Sequence, residues 1–428
     1  MYRLLVKNAK QVVLVCNKGE TLLKGNSMSN VVVLNEGYSL VIDEQGNLAC
    51  IDVNNVVYEK YSENDFDKII DATGCSIIPG LVDGHTHPVF AGDRVHEFAM
   101  KLAGASYLDI HKSGGGINFT VSHVRKANEK QLFDSLREIL MRMLRAGTTL
   151  MEAKSGYGLD TKNEMKMLRV LERAKNEQAI EISSTYCGGH AIPLGSTPAE
   201  ATHDIITKQL PALKSLMDSG KLHVDNIDVF CEKGVFELSD TEKILKAGKK
   251  IGLAINFHAE ELNQLNSVEL GVSLGARSIS HLEEISEEGI KMMASSSSVA
   301  VVLPTTAYIL KLCPPPVRKM IDEGVAIALG SDFNPNAFCV SMPLVMHLAC
   351  VLYGMTMNEA LVASTINAAA SIGKSHSHGS LEYGKVGDIL ILDCPRWEHL
   401  IYQLAGHDHV IKHVIKKGRV VYSRQDQP

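Results

Sequence analysis

Short apolar runs alternate with amphipathic helical stretches through the middle of this chain, and this pattern restricts its fold more than any other feature. Eight runs read as buried strands, at residues 80–87, 147–155, 181–190, 226–234, 252–261, 278–284, 298–306 and 325–335. Between the first two, residues 131–145 carry apolar side chains at three- and four-residue spacing, which predicts a helix. Strands that alternate with helices are typical of a parallel sheet, and eight such units predict a (β/α)8 barrel of the TIM type, for which about 250 residues is usual.

An open, doubly wound sheet is the competing architecture. That fold would place a Gly-rich phosphate turn with the spacing G-x-G-x-x-G after its first strand. Residues 113–116 read Ser-Gly-Gly-Gly, which lacks that spacing and is better interpreted as a mobile loop. The barrel is therefore the favoured fold.

Both ends of the chain differ in pattern from the middle. Short β-branched runs between turn signals occupy residues 11–15, 31–34, 39–42 and 55–58, and again residues 388–392, 410–415 and 419–422. We expect the two ends to share one small β-sandwich domain. The predicted organisation is residues 1–80 and 381–428 in that composite domain, with the barrel at residues 81–380.

The composition argues against nucleic-acid and membrane partners. Lys plus Arg number 43 and Asp plus Glu 49, a net charge of −6 without any block of like charge. We find no signal-peptide pattern and no apolar run near the roughly 18 residues of a membrane span, so we expect a cytoplasmic protein. The nine cysteines are scattered without a C-x-x-C pair, which is typical of reduced thiols and argues against a cysteine-type zinc site.

Several of the 17 histidines fall where a barrel builds its active site, at the carboxyl ends of its strands. His85 and His87 follow the first predicted strand, and alternate residues of a strand can face one metal ion. His258 lies near the end of the fifth strand, His281 near the end of the sixth and Asp332 near the end of the eighth. Neutral imidazoles with a carboxylate suit a catalytic Zn²⁺ or Fe²⁺ that keeps an open position for water.

Two later His-x-His pairs do not follow predicted barrel strands. His376 and His378 lie in a turn-rich stretch, and His407 and His409 lie near the terminal β segment. We interpret both pairs as surface or turn residues.

The order of the candidate ligands resembles the amidohydrolase superfamily, with His-x-His after strand one, His after strands five and six, and Asp after strand eight. Other blocks are similar to those members of the superfamily that open an imidazolone ring in histidine degradation, namely residues 90–94, 106–110, 113–117, 152–159, 189–193, 257–261 and 332–335. The resemblance covers most of the predicted barrel, and it implies a barrel with a small composite β-domain.

Carried over residue by residue, the resemblance implies a single divalent metal held by His85, His87, His258 and Asp332. It implies substrate contacts from Arg94, Tyr157, His190, Glu261, Asn334, Asn336 and Ala337. Asn336 is bulkier than the small residue that we expect at this position in bacterial relatives, so this contact departs from the pattern.

The implied reaction is hydrolysis of the cyclic amide 4-imidazolone-5-propanoate to N-formimidoyl-L-glutamate. In it Asp332 would accept a proton from the attacking water, His281 would stabilise the oxyanion, and Glu261 would pass a proton to the leaving nitrogen. The planar guanidinium of Arg94 matches the propionate carboxylate of this small anionic substrate. A homodimer is the commonest symmetric assembly for such an enzyme.

Three alternatives remain open from the sequence. A nucleobase-type aminohydrolase (deaminase) would keep the metal ligands but would not need Arg94, because a neutral base has no anionic arm. A two-metal site would use a carboxylated lysine from strand four, but Lys154 ends the second strand and Lys233 follows Glu232 in what reads as a solvated turn. A catalytically dead scaffold barrel would be expected to have lost ligands that this chain keeps.

Overall fold

One of the two sheets in the computed structural model, which describes residues 2–104 and 115–424, joins both ends of the chain. With strands numbered along the chain, it contains β1 (Tyr2–Val15), β2 (Val32–Ile42), β3 (Leu48–Val53), β4 (Phe66–Asp71), β5 (Ser76–Pro79), β14 (Ile389–Leu392), β15 (Ile411–Lys416) and β16 (Arg419–Ser423). The two ends meet where β5 pairs antiparallel with β14. Residues 106–110 and the first half of the Gly-rich segment 113–116 lie outside the described residues.

The second sheet is the barrel. Its strands are β6 (Leu81–Asp83), β7 (Thr148–Lys154), β8 (Glu181–Gly189), β9 (Asn226–Cys231), β10 (Ala254–Ala259), β11 (Ser278–His281), β12 (Val299–Val302) and β13 (Ala326–Leu329), and neighbours along the chain pair in parallel. Backbone hydrogen bonds from Gly84 to Leu329 and from Asp332 to His85 join the two outermost strands. Each of the eight predicted runs contains one strand, so the predicted barrel and its companion sheet are confirmed.

Helices follow most barrel strands, whereas the helix at Asn54–Lys60 precedes the barrel and packs against Leu5 and Val41 of the sheet that joins the chain ends. Within the described residues they are α1 (Asn54–Lys60), α2 (Val95–Leu102), α3 (Ile117–Lys126), α4 (Glu129–Arg145), α5 (Thr161–Glu177), α6 (Pro198–Asp204), α7 (Leu210–Asp218), α8 (Leu238–Lys250), α9 (Ser267–Leu274), α10 (Glu287–Ser295), α11 (Pro304–Leu310), α12 (Val317–Asp322), α13 (Met342–Tyr353), α14 (Met357–Ala363), α15 (Ile366–Ser371), α16 (His399–Tyr402) and α17 (His407–Val410). Short 3-10 turns at Gly25–Ser29 and Glu63–Asp65 and a π turn at Ile205–Gln209 complete the set.

Helix α4 confirms the helix expected at residues 131–145 and begins two residues earlier. The side chain of Asn128 caps it by accepting a hydrogen bond of 2.9 Å from the backbone N–H of Gln131. Leu132, Leu136 and Leu140 are buried on one face at the expected spacing. The apolar period therefore predicted both the helix and the face that it packs against the barrel.

The strand expected at residues 55–58 is wrong, because this segment is part of helix α1. Val57 is fully buried there, in a cluster with Leu5 and Val41, whereas Val56 and Tyr58 are exposed. One buried residue between two exposed neighbours fits either a strand or a single helical turn. A four-residue β-branched run therefore does not determine the period.

His378 is buried, contrary to the surface role expected for the later His-x-His pairs. It lies in the predicted turn, but its side chain is 6% exposed and its Nε2 lies 3.4 Å from Oε2 of Glu181 at the start of β8. The ammonium of Lys416 from β15 lies 3.1 Å from the same carboxylate oxygen. These contacts join the amino end of a barrel strand to the terminal sheet. His376 is exposed in the same turn, as expected.

The ion pairs of Glu181 predict a contribution to stability that acid removes. Burial alone would raise the pKa of Glu181, but His378 and the ammonium groups of Lys416 and Lys417 hold it well below the ordinary value of 4.5. A carboxylate with a depressed folded-state pKa stabilises the protein above its unfolded-state pKa and loses that contribution as the pH falls. We expect Glu181→Gln to lower the free energy of unfolding by about 1–2 kcal/mol at pH 7. Denaturation of both proteins at several pH values should show this difference shrinking below about pH 4.5, and a difference independent of pH would contradict the assignment.

The domain limits at residues 80 and 380 stay a prediction, whereas the two sheets themselves are described above. Within residues 2–104 and 115–424, none of the helices combines the length and the apolar character that a membrane span requires.

Candidate metal centre and active site

Five histidines and one aspartate meet at the carboxyl ends of the barrel strands. His85 and His87 follow β6, His190 follows β8, His258 lies in β10, His281 ends β11 and Asp332 follows β13. Their ligand atoms form three overlapping groups of three, and within each group the atoms lie within 4.8 Å of one another. The structure therefore brings together the histidines that the sequence placed at strand ends.

The distances between these ligand atoms fit a metal ion. The Nε2 atom of His87 lies 3.3 Å from Nε2 of His85 and 3.2 Å from Nε2 of His258. The Oδ1 atom of Asp332 lies 3.5 Å from Nε2 of His85 and 3.7 Å from Nε2 of His87. Four ligands at about 2.0–2.1 Å from a tetrahedral ion are separated by about 3.3 Å. The donor set thus has the spacing and the chemistry of a metal site.

Hydrogen bonds on the far side of three predicted ligands turn their donor atoms toward the centre of the cluster. Nδ1 of His258 donates to Oδ1 of Asp228 at 2.8 Å, and Nδ1 of His85 lies 2.9 Å from the hydroxyl of Ser280. The hydroxyl of Thr306 donates to Oδ2 of Asp332. These contacts leave the Nε2 atoms of both histidines and Oδ1 of Asp332 for a metal.

Burial lowers the pKa of four of the clustered histidines and keeps them neutral. It lowers the pKa of His85, His87 and His281 well below 6.5, and the positive charge of Lys154 adds to the effect at each of them. Burial, followed by the neighbouring His258, lowers the pKa of His190 to about 3. Uncharged imidazoles at neutral pH are the form that binds metals.

The backbone at the site adopts conformations that most residues avoid. His281 has φ of 80° and Asp332 has φ of 46°, both in the left-handed region. Such residues store strain that the surrounding structure must hold, and they concentrate at functional sites. Gly330 is required for close approach, because a Cβ there would lie 2.8 Å from Cβ of His85. The strand β13 can therefore bring Asp332 beside the histidines only with glycine at this position.

Glu261 and Glu283 flank His281 on opposite sides of its ring. Oε2 of Glu261 lies 3.6 Å from Nε2 of His281, and Oε2 of Glu283 lies 3.8 Å from Nδ1. Burial, with repulsion from Glu283 and Asp332, raises the pKa of Glu261 well above 4.5. Burial raises the pKa of Glu283 to about 8. Glu261 is thus a carboxyl group that retains a proton readily, as a general acid must.

Tyr157 and His190 form a wall beside His87. The ring of His190 stacks on His87 with centroids 4.5 Å apart and an angle of 13°, and its Nδ1 lies 3.0 Å from the carbonyl of Gly156. The ring of Tyr157 lies 5.2 Å from that of His190 and 6.0 Å from that of His87. Burial raises the pKa of Tyr157, so its phenol stays protonated. Both predicted substrate contacts therefore adjoin a predicted metal ligand.

Arg94 is a buried cation rather than a member of a surface ion pair. Its side chain is 9% exposed, and Nη2 lies 2.7 Å from Oε2 of Glu97. The other oxygen of Glu97 accepts a hydrogen bond of 2.8 Å from the backbone N–H of Gly116. Within the described residues, Nε of Arg94 has no hydrogen-bond partner. Glu97 thus orients the guanidinium on one side and leaves another N–H free to bind an anion.

A cavity of about 940 Å³ lies beside the metal centre. Its lining includes Arg94, Phe98, Lys101, Tyr308, Asn336 and Phe338. The clustered histidines are not part of this lining, so the donor geometry and not the cavity locates the metal site. The two are adjacent, because Ala307 lines the cavity and follows Thr306, whose hydroxyl bonds Asp332.

The loop after β13 places its three predicted substrate residues differently. Asn334 uses its side-chain oxygen to accept the backbone N–H groups of Asn336 and Ala337, and its Nδ2 donates to the carbonyl of Asp332. Ala337 is fully buried. Asn336 lines the cavity and contacts the ammonium of Lys101. Of the three, Asn336 is the one that shares the cavity with Arg94.

Several residues that orient the centre were not singled out from the sequence, namely Asp228, Ser280, Glu283 and Thr306. The alternation on β9 carried a usable signal, since Asn226 and Asp228 alternate with Ile227 and Val229 and therefore face the barrel interior. Nothing comparable distinguishes Ser280 or Thr306 from other hydroxyl residues at strand ends.

Neither lysine considered for a two-metal site is placed as a bridging ligand. Lys233 is exposed. Lys154 is a buried cation whose ammonium lies 2.6 Å from Oε2 of Glu152 and 2.7 Å from Oδ2 of Asp228. Binding of one metal per site stays a prediction.

A cluster of histidines and an aspartate at the carboxyl ends of a (β/α)8 barrel, beside a sheet built from both chain ends, is typical of metal-dependent amidohydrolases. The model of the Amidohydrolase family matches residues 76–421. The solved structure of an adenosine deaminase from Xanthomonas campestris with bound zinc is similar with a TM-score of 0.71, covering 100% of this chain and 95% of that one. At 15% sequence identity this likeness concerns the fold alone.

Curated relatives identify a particular group within this class. The probable imidazolonepropionase of Nematostella vectensis is 61% identical over 429 residues, which covers 99% of this chain and 100% of the relative. The probable imidazolonepropionase of Mus musculus is 58% identical over 423 residues, which covers 99% of this chain and 99% of the relative. The chain belongs to the amidohydrolase family and, within it, to the imidazolonepropionases.

Proposed function

We propose that the chain hydrolyses the cyclic amide 4-imidazolone-5-propanoate to N-formimidoyl-L-glutamate in histidine degradation. The observation that carries this proposal is a buried cation, Arg94, beside a cluster of histidines, in a chain that is 61% identical to a probable imidazolonepropionase over its full length. The propionate arm of this substrate requires a cation. A neutral nucleobase does not require a cation, so a nucleobase aminohydrolase would have no use for Arg94.

His85, His87, His258 and Asp332 would hold one divalent cation, either Zn²⁺ or Fe²⁺, since both accept this donor set. A bound cation would lower the pKa of a water molecule toward about 7 and would polarise a carbonyl oxygen. The hydrogen bond from His258 to Asp228 supports this assignment, because it fixes the proton on Nδ1 and frees Nε2.

The residues of the chain account for each proton in the reaction. Water adds to the ring carbonyl carbon, and Asp332 accepts the proton that the water loses. Neutral His281 donates a hydrogen bond to the oxygen on which negative charge develops. When the ring C–N bond breaks, Glu261 transfers a proton to the leaving nitrogen. The new carboxyl group of the product loses its proton to solvent, and the proton held by Asp332 restores Glu261 for the next turnover.

A direct assay tests the proposed reaction. Purified protein loaded with Zn²⁺ or Fe²⁺ is incubated with 4-imidazolone-5-propanoate, and the loss of the ring absorbance is followed together with formation of N-formimidoylglutamate by mass spectrometry. We expect turnover with that substrate and none with guanine or adenosine. Absence of turnover by protein that contains its metal would refute the substrate and would leave the family assignment unchanged.

Removal of Arg94 should weaken selection for the anionic arm. We expect Arg94→Ala to lower kcat/KM about 10- to 100-fold, because a hydrogen bond to a charged group contributes about 1.5–3 kcal/mol. The loss should appear mainly in KM, since the arm does not react. Steady-state kinetics on the natural substrate and on its propionamide analogue measure the effect.

The propionamide analogue and a second arginine control this prediction. In the wild type, kcat/KM should be much lower for the neutral amide than for the natural substrate. In Arg94→Ala this difference should nearly disappear, because the guanidinium that distinguishes a carboxylate from an amide is absent. Arg137→Ala, on the exposed side of α4, should match the wild type. If Arg94→Ala prefers the carboxylate substrate as strongly as the wild type does, Arg94 does not recognise the propionate arm.

We also infer a cytoplasmic homodimer that acts on a small anionic substrate. The scattered free cysteines support a reducing compartment, and twofold symmetry is the commonest arrangement of soluble oligomers. Sedimentation velocity should show a species of twice the 46.7 kDa chain mass. A monomer at micromolar concentration would contradict the dimer.

A further inference from the structure

Lys154 is a fully buried cation that the reaction described above does not use. It ends strand β7 with 1% of its side chain exposed, and its ammonium lies between the carboxylates of Glu152 and Asp228, at 2.6 and 2.7 Å. Both carboxylates are as deeply buried as the lysine. Burying charges is costly, and a buried ion pair stabilises a protein little compared with apolar packing. Stability alone therefore does not explain why three charges are buried here.

Asp228 connects this group of charges to the metal centre. Its Oδ2 atom pairs with Lys154, while its Oδ1 atom accepts hydrogen bonds from Nδ1 of His258 at 2.8 Å and from the backbone N–H of His258 at 3.2 Å. The two oxygens therefore face in different directions, one toward a cation and one toward a predicted ligand. The position of the Lys154 ammonium determines how the carboxylate is rotated against His258.

The same lysine is fixed to the first strand of the barrel. Its backbone N–H donates to the carbonyl of Thr86 at 3.0 Å, and the hydroxyl of Thr86 donates to the carbonyl of Glu152 at 2.6 Å. Thr86 lies between the ligands His85 and His87. The side chain of Glu152 is held in turn by the hydroxyl of Thr185 on β8. The end of β7 thus contacts both the His-x-His segment and the group that orients His258.

We propose that Lys154 is a positioning residue of the metal centre, which acts through Asp228 to hold His258 with Nε2 directed at the metal. Its ammonium fixes the carboxylate of Asp228, and the carboxylate fixes the ring and the tautomer of His258. Partners of this kind typically change metal affinity about 10- to 100-fold when they are replaced. The inference rests on the proposed metal ligands and does not depend on the identity of the substrate.

Metal affinity of the intact protein tests the proposal. We expect Lys154→Met to raise the Zn²⁺ dissociation constant, measured by competition with a chromophoric chelator, about 10- to 100-fold. Asp228→Asn should have an effect of similar size. In the Asp228→Asn background the further change Lys154→Met should alter affinity by less than about threefold, because both replacements interrupt the same path. An unchanged affinity in Lys154→Met, or full additivity with Asp228→Asn, would overturn the proposal.

Two further variants separate positioning from general damage. Lys166→Met removes another buried lysine, one whose ammonium contacts the carbonyls of Val124 and Ala127 and does not pair with Asp228, and should leave Zn²⁺ affinity unchanged. Glu152→Gln combined with Lys154→Met removes one charge of each sign, so it keeps the buried charge balanced if Lys154→Met alone does not fold. That double variant should also bind Zn²⁺ weakly, and wild-type affinity in it would refute the proposal. Failure of the wild type itself to bind metal would instead refute the proposed ligand set.

Discussion

Replacement of Asp332 by asparagine should lower kcat/KM by about 1,000-fold, within the range usual for loss of a general base. Oδ1 of Asp332 lies within 3.7 Å of the Nε2 atoms of both His85 and His87, so the carboxylate is positioned both to bind the cation and to accept a proton from water. Asparagine keeps the volume and an acceptor oxygen for the hydroxyl of Thr306, but it cannot take up that proton. The loss should therefore fall on kcat, with KM changed little.

Metal content and a matched carboxylate control decide the interpretation of Asp332→Asn. The three histidines should still retain a divalent cation, although more weakly, so the variant is assayed with its metal content measured and with metal in excess. Asp134→Asn replaces a partly exposed aspartate that pairs with Lys130 on α4, and it should behave as the wild type. An Asp332→Asn enzyme that holds its metal and retains more than about a tenth of the wild-type kcat/KM would exclude Asp332 as the base.

The barrel could be predicted from the sequence because buried parallel strands give short, uninterrupted apolar runs. Residues on β12 and β13 are apolar without interruption, since both faces of such strands are covered. The strand ends could then be located, and with them His85, His258 and Asp332. The same reasoning failed for the segment that forms α1, where four residues are too few to separate a period of two from one of 3.6.

The orientation of the ligands could not be predicted, because it depends on contacts between residues distant in sequence. Asp228 bonds His258 across neighbouring strands, and Lys154 reaches Asp228 from β7, two strands away in the barrel. The register of several strands has to be known before such contacts can be inferred. His378 illustrates the same limit, since its partner Glu181 is on a strand almost 200 residues earlier.

The loop after β13 shows a different limit. The family resemblance implied substrate contacts from Asn334, Asn336 and Ala337, three residues of one loop. In the structure, Asn334 satisfies the backbone of its own loop, and Asn336 alone among them lines the cavity with Arg94. A short polar residue that can bond its own backbone is often retained for the turn that it makes.

Replacement of Glu261 by glutamine should lower kcat about 100- to 1,000-fold, within the range usual for loss of a general acid or base. Glu261 lies three residues after the ligand His258 and 3.6 Å from Nε2 of His281, so its carboxyl group is at the site but outside the predicted ligand set. Burial raises its pKa well above 4.5, which keeps a transferable proton available. Glutamine can donate a hydrogen bond to the ring nitrogen, but it cannot transfer the proton that the nitrogen needs when the C–N bond breaks. KM should therefore stay within about threefold of the wild type while kcat falls.

Glu261→Gln also tests whether Glu261 or His281 gives the proton to the leaving nitrogen. If His281 supplied the proton, Glu261→Gln would keep most of the wild-type kcat, and His281→Asn would carry the large loss. If Glu261 supplies it, the kcat of Glu261→Gln should fall further than that of His281→Asn, in which the cation still polarises the carbonyl. Glu284→Gln, an exposed carboxylate beside Glu283, is the matched control and should leave both constants unchanged. Zn²⁺ affinity should be the same in Glu261→Gln and the wild type, because Glu261 does not orient a ligand, and a loss of metal in this variant would place it among the metal-holding residues instead.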